Sequence, residues 1–466
     1  SCSGRTCAVA AHQLRPGGSA VPSNSSAHSR RRRWLPIAMF STGLVLFGTS
    51  VIAVGGAVGA PSPFAATLAA GESATDPLSR MIHTAQQDLR DDPDDALTWA
   101  QLGSAYVEQA RVRADPSYYG KAQGALDRSI QLQPQDNAEA MIGLGALANA
   151  RHDFAQARDW ALRARELRPA TGEVYGVLAD ALTQLGDAEG ATAAVQRMLD
   201  TKPGIAAFTR ASYDLELHGR VDDARLALQQ ALRDSHSPAN FAFCRYYLGE
   251  LAFNSGDLDK AAAQYEHGLD VARGDTALRQ GRAKAAAARG DLDRALADYQ
   301  AVTSRTPLPQ YLQEYGELLL AAGRPEQAAA QFTLFTQQQR LYEAAGSTDD
   351  LAVSQFAADH GDPAEALRRA QAEWERRPSV FVADAMAWAL HASGRDAEAL
   401  IFADRAAALG WRNATFAYHR GMILASLGMR TEAQRQLAEA LEINPYFSPL
   451  HAPRARAALD ELRSTG

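Results

Sequence analysis

Eleven histidines, three cysteines and 54 carboxylates are the groups in this 466-residue chain that could do chemistry. Metal-assisted hydrolysis would place histidines one helical turn apart, as in H-E-x-x-H, and none of the eleven has a metal spacing. His360 and His391 fall in a turn or late in a helix, where a solvated imidazole is expected. Phosphate chemistry would call for G-x-x-x-x-G-K-[ST], and acyl transfer from a nucleophile elbow for G-x-S-x-G; both are absent. Cys2, Cys7 and Cys244 contain no C-x-x-C pair, and an odd count builds no disulfide framework. Cys244 reads as a small packed apolar side chain. Acidic turns recur, as in LGDAEGA and RGDLDRA, but one per repeat, which gathers no catalytic or calcium-binding set. No catalytic residue, cofactor or metal is therefore expected, and the chain is read as not an enzyme.

The elements that would position any site repeat along the chain. Turn glycines stand at Gly186, Gly219, Gly256, Gly290, Gly323, Gly361, Gly394 and Gly428, with His152 in the equivalent place of an earlier unit. Their spacing is close to 34 residues throughout. An alanine follows each turn: Ala157, Ala191, Ala224, Ala261, Ala295, Ala328, Ala366, Ala399 and Ala433. Prolines close several units, at Pro134, Pro169, Pro203, Pro307, Pro378 and Pro445. In physical terms the glycine ends a first helix in the left-handed conformation, and the Asp that often follows it caps a second helix. The alanine lets the two helices cross closely, and proline ends the second helix because it cannot donate inside one. No such unit buries its apolar face alone, so successive units stack.

In TWAQLGSAY, residues Trp99, Leu102, Gly103 and Tyr106 match W-x2-L-G-x2-Y, and Leu144-Gly145, Leu248-Gly249, Tyr315-Gly316 and Arg420-Gly421 keep its centre. This pattern resembles the tetratricopeptide repeat over about residues 80–446. A seven-residue insertion near RVRADPS and missing prolines after the fifth, seventh and ninth units depart from it. The resemblance implies an all-α, right-handed solenoid of about nine to ten helix–turn–helix units. It also implies a concave surface lined by first helices. On this sequence the lining positions are Tyr213, Glu216, Phe243, Tyr246, Glu250, Phe253, Glu317, Phe381, Trp388, Tyr418 and Met422, with Asp180 and Asp384. A family variant that clamps a terminal carboxylate uses Lys, Arg and Asn there, and only Lys284 and Asn149 correspond, so that clamp is not expected. The bland reading of each aromatic is packing between units. The functional one is a groove for an extended or helical partner segment with apolar anchors and basic charge.

Before the repeats, residues 1–29 read as a basic flexible tail and residues 30–60 as a membrane segment. Trp34 to Ala60 are uncharged, more than the roughly 20 residues that cross a bilayer. Four arginines precede them and acids follow, which places the tail in the cytoplasm and the repeats outside. The segment is either a permanent anchor or an export signal cleaved near Ala60. Arg31-Arg32-Arg33-Trp34-Leu35 also resembles a twin-arginine signal. Residues 61–77 form a linker, 78–446 the solenoid and 447–466 a closing helix. The first 60 residues hold six arginines and no acid, leaving 41 of 47 basic residues against all 54 acids, a net of −13 for the rest. Such a body is unsuited to nucleic acid, which needs clustered Lys and Arg. The expectation is a protein-binding scaffold or adaptor outside the cytoplasmic membrane; the alternative is an accessory or regulatory subunit of a separately encoded enzyme.

Overall fold

The computed structural model describes residues 77–464, which form 22 helices and no strand. The expected tail and membrane segment lie outside the described residues. Among those described, no helix is long and apolar enough to cross a membrane. A leading helix α1 (Pro77–Asp91) precedes ten antiparallel pairs. The first five pairs are α2 (Ala96–Arg113) with α3 (Ser117–Leu132), α4 (Ala138–Ala150) with α5 (Phe154–Leu167), α6 (Gly172–Leu185) with α7 (Ala188–Thr201), α8 (Ile205–Leu217) with α9 (Val221–Arg233), and α10 (Pro238–Asn254) with α11 (Leu258–Val271). The next five are α12 (Thr276–Ala288) with α13 (Leu292–Arg305), α14 (Pro309–Ala321) with α15 (Pro325–Ala344), α16 (Asp350–His360) with α17 (Pro363–Arg376), α18 (Val380–Ala392) with α19 (Asp396–Ala406), and α20 (Ala414–Ser426) with α21 (Arg430–Ile443). A closing helix, α22 (His451–Ser464), ends the array. Each helix packs mainly on its sequence neighbours, as in a solenoid.

The local chemistry follows the sequence closely. All nine second-helix alanines are at most 2 % exposed, because each sits where its pair crosses. A Cβ added at Gly145 would lie 2.7 Å from Val177 Cγ1, and one at Gly421 would lie 2.8 Å from Leu437 Cδ2. Asp153, Asp187, Asp257 and Asp291 each accept a hydrogen bond from a backbone N–H in the first turn of the second helix. Where arginine replaces that Asp, at Arg220, Arg324 and Arg395, no side-chain cap forms. Seven of the turn glycines have φ between 70° and 83°, and His152 adopts φ 62° in their place. Gly361 departs from the expectation, with φ −134°. Pro363 holds the preceding Asp362 extended, so the chain enters α17 by a different path. The insertion in the first pair is absorbed as an α2 of 18 residues.

The array then touches itself. Turns inside the early pairs meet the loops that join later pairs, one contact per repeat. Thr348 N–H donates to Arg151 O at 3.1 Å, and Tyr342, in the long α15, packs its ring 6.0 Å from that of Tyr119. Arg377 donates to the Gln184 amide oxygen, 193 residues away, and lies 4.9 Å over the Phe154 ring. A Cβ at Gly186 would be 2.8 Å from Pro378 O, one at Gly219 2.6 Å from Gly410 O, and one at Gly256 2.8 Å from Ile443 O. A mixed core of Tyr213, Leu217, Phe381, Ala383, Trp411 and Phe416 fills the middle of this seam. A cavity of about 360 Å³ beside it is walled from both sides by Leu217, His218, Trp374, Val380, Phe381 and Arg405. Helix α18 is accordingly buried on every side from Phe381 to Leu390. Successive turns of the superhelix are thus stacked edge to edge.

Candidate protein-interaction groove

With the seam closed, first helices of early and late pairs come near one another on the concave side. Arg111, late in α2, has a side chain 44 % accessible, yet it faces Tyr247 of α10, Tyr311 of α14 and Asp275 at the start of α12. A group both wetted and crowded from three later pairs lies in a deep concavity. Burial opposes its charge, but the hydrogen-bonded carboxylate of Glu108 outweighs this and keeps the guanidinium protonated.

Around it runs a layer of tyrosines and carboxylates. Tyr246 is half-buried, with its hydroxyl 3.4 Å from Gln280 Oε1 and its ring 5.2 Å from that of Tyr247. Phe243, also half-buried, meets Tyr247 edge-on at 4.8 Å. Glu250 is buried and accepts from the Tyr265 hydroxyl at 2.6 Å and from Lys284 Nζ at 2.5 Å. Phe253 is buried beneath the same ammonium, 5.0 Å from its ring centre. Asp180 receives a two-pronged bond from Arg210, at 2.9 and 2.7 Å. Lys284 and Asn149, the two clamp-like residues, are spent internally, the latter donating to Val177 O at 3.1 Å.

Three carboxylates in this layer have hydrogen-bond donors but form no salt bridge among the described residues. Glu314 accepts from Gln280 at 2.6 Å, Tyr299 at 3.0 Å and Gln310 at 3.0 Å; burial, with Glu250, raises its pKa against Lys284, Gln280 and Gln310. Burial likewise raises Asp275, against backbone N–H groups and Arg111. Glu216 is pushed by burial up to about 7, with Glu250 adding to the shift and donors from Asn254 and Trp411 opposing it. Trp411 reaches Glu216 from across the seam.

The sign of the Glu216 effect is fixed by this shift. Below its ordinary pKa of 4.5 the carboxyl is protonated whether folded or unfolded; as pH rises towards 7 only the unfolded chain ionises it, so stability is lost over that window. Glu216→Gln should match wild type near pH 4.5 and become more stable by about 1–2 kcal/mol at pH 7.5, a figure reduced for its partial exposure. Thermal unfolding at several pH values checks this; an offset that does not change with pH would contradict it.

The remaining expected lining residues are placed differently. Tyr213 and Phe381 are in the seam core. Glu317, Trp388 and Tyr418 lie buried in the C-terminal pairs, where Glu317 accepts from Gln313 at 2.9 Å and Trp388 Nε1 donates to Asp359 at 2.9 Å. The ring of Trp388 stacks on His419 at 4.0 Å, and Asp384 lies 3.0 Å from His419 Nδ1. Met422 is half-buried and packs beside Trp388 and Tyr418. Sequence reasoning missed Arg111, Tyr247, Tyr311, Asp275 and Glu314. Tyr247 immediately follows Tyr246, and a two-residue aromatic run inside a first helix is the signal that could have found it. Cys244 is fully buried, and burial drives its thiol up to about 12, so it is unreactive.

An array of helix pairs stacked in sequence order defines the class: a helical-repeat solenoid. Residues 212–275, 281–345 and 414–447 match models of the tetratricopeptide repeat, so the chain carries such repeats. No curated protein matches the sequence. Among solved structures, a tetratricopeptide repeat protein from Parabacteroides merdae is similar at 17 % identity, covering 56 % of this chain and 98 % of its own, with a TM-score of 0.34. A thermophilic repeat protein from Thermus thermophilus gives 23 %, 39 %, 98 % and 0.35, and pilF of Pseudomonas aeruginosa gives 19 %, 48 %, 97 % and 0.36 in the same order. Proteins built from these repeats generally mediate protein–protein interactions, and the fold is typically a non-enzymatic scaffold.

Proposed function

We propose that this chain is a scaffold or adaptor that holds an extended segment of a partner protein in its channel, outside the cytoplasmic membrane to which its N-terminal apolar segment tethers or exports it. The observation that carries the reading is the set of Glu216, Asp275 and Glu314, half-buried carboxylates that form no salt bridge among the described residues, with Tyr311 near the latter two; burial raises the pKa of all three. A half-buried carboxylate that forms no salt bridge is costly, and a lysine or arginine from outside offsets that cost. Tyrosine faces supply apolar and cation–π contact to the same segment. The favoured ligand is therefore an extended chain with alternating basic and apolar side chains. The orientation is supported by the arginines ahead of Trp34 and the acids beyond Ala60.

Tyr246→Ala combined with Glu314→Gln is expected to weaken capture of partner proteins from an envelope extract about tenfold or more, since each contact is worth on the order of 1 kcal/mol. Pull-down quantified against wild type, with circular dichroism to verify folding, checks this. Undiminished capture by a folded double variant would sink the groove reading.

A further inference from the structure

We propose that α22 is a proton-controlled closing helix: protonated His451, in its first turn, bridges to Asp359 at the end of α16 and holds that end of α22 against the concave side, and loss of the proton releases it. The contact leaps over two complete pairs. His451 Nε2 lies 3.2 Å from Asp359 Oδ1, and the same oxygen accepts from Trp388 Nε1 of α18 at 2.9 Å. The imidazole ring stacks on Tyr418 of α20 at 5.0 Å and stands 6.2 Å from the ring of His419. Both partners are largely sealed, with side chains 8 % and 14 % accessible, so water screens the pair weakly.

The surroundings favour the charged form. Burial alone would lower the His451 pKa, but Asp359 by hydrogen bond and charge, with Glu317 of α14, overcomes burial and raises it; Arg454 on α22 itself opposes. Burial would raise Asp359, yet His451, His419 and Trp388 bring it down to about 2, so this carboxylate stays ionised at any physiological pH. The other nearby titratable groups have partners of their own: Glu317 is 3.1 Å from His360 Nε2, and Asp384 is 3.0 Å from His419 Nδ1. Tyr418, pushed by burial up to about 12, carries no charge in this range.

The other end of α22 is held by groups that do not titrate near neutrality. Gln434 Nε2 donates to Leu462 O at 2.7 Å, as does Arg430, and Ala455 and Leu459 are buried against α21 and α20. Release is therefore local to the first turns. A histidine with a raised pKa stabilises fully below its ordinary value of 6.5, and that stabilisation is lost as pH climbs through the raised value. On the reading that the channel takes basic segments, the freed Asp359 becomes an anchoring carboxylate for one; this clause alone depends on that reading.

Hydrogen exchange of the full chain, read on peptides covering residues 451–464 and corrected for the chemical exchange rate, tests the proposal without any partner. Protection of the first turns, up to about residue 457, should fall several-fold between pH 6 and pH 9 in wild type, while the rest of α22 and α2 to α19 stay protected. His451→Lys, which keeps a charge across this range, should abolish the pH dependence. His451→Gln and Asp359→Asn should each show at pH 6 the protection that wild type shows at pH 9. Wild-type protection that is flat with pH, or a His451→Gln variant as protected as wild type at pH 6, would overturn it. Because the readout is exchange within the chain, failure here leaves the groove reading standing, and failure of partner capture leaves the latch standing.

Discussion

Replacing Arg377 with methionine is expected to cost about 3–5 kcal/mol of stability, the range for removing one partner from a buried ion pair. Arg377 is 3 % exposed and Glu373 1 %. The arginine donates to Glu373 in its own pair and to Gln184 across the seam, and covers the face of Phe154. Methionine fills much of the volume but leaves the Glu373 carboxylate with Arg376 alone, the Gln184 oxygen without its donor, and the ring without its cation. The double variant Arg377→Met, Glu373→Gln should recover most of the loss, because the stranded charge is removed with its partner. Urea unfolding of both variants measures this. A single-variant loss of under about 1 kcal/mol, the scale of a surface pair, would show that the seam is open in solution.

Gly219→Ala is expected to cost about 3–4 kcal/mol, and Gly394→Ala only about 1–2. Both glycines end a first helix with φ near 73°, so both alanines pay the same left-handed penalty of about 1–2 kcal/mol. They differ in what stands above them. At Gly219 the new Cβ would come within 2.6 Å of Gly410 O, a backbone atom of the next superhelical turn, whereas nothing lies within 4 Å of the Cβ at Gly394. The excess, of the size overpacking usually causes, isolates the seam from the helix cap. Gly256→Ala, beneath Ile443 O, should behave like Gly219→Ala, and Gly428→Ala like Gly394→Ala. Equal losses in all four variants would contradict the edge-to-edge contact.

How much of this could be read from the sequence depends on the range of the interaction. The helix pairs were legible because their determinants are local: Gly186 sets its turn, Asp187 caps the next helix, and Ala191 lies at the crossing a few residues on. Even the substitution of His152 for glycine was placed correctly by spacing. Gly361 was not, because Pro363 two residues later overrides the turn. The seam was illegible for a different reason. Contacts such as Arg377 with Gln184 arise from small rotations summed over several pairs, and no repeat-level pattern encodes that sum. One trace of it did stand in the sequence: VFVADAMAWAL in α18 is apolar around the helix except at Asp384, the mark of an element covered on all sides. The first-helix positions that would line a channel could be listed from the repeat. Which of them stay wet depends on the seam, and this is why Tyr213 and Phe381 lie in its core while Tyr246 keeps part of its surface.

A photoreactive residue in place of Tyr247, inside the channel, compared with the same residue in place of Leu226, 59 % exposed on α9, tests the central claim most directly. Irradiation in an envelope extract should produce a discrete partner adduct from position 247 and none from position 226, with the adduct suppressed by Glu314→Gln. Adducts from position 226 alone, or equal yields from both positions, would contradict a partner held in the channel.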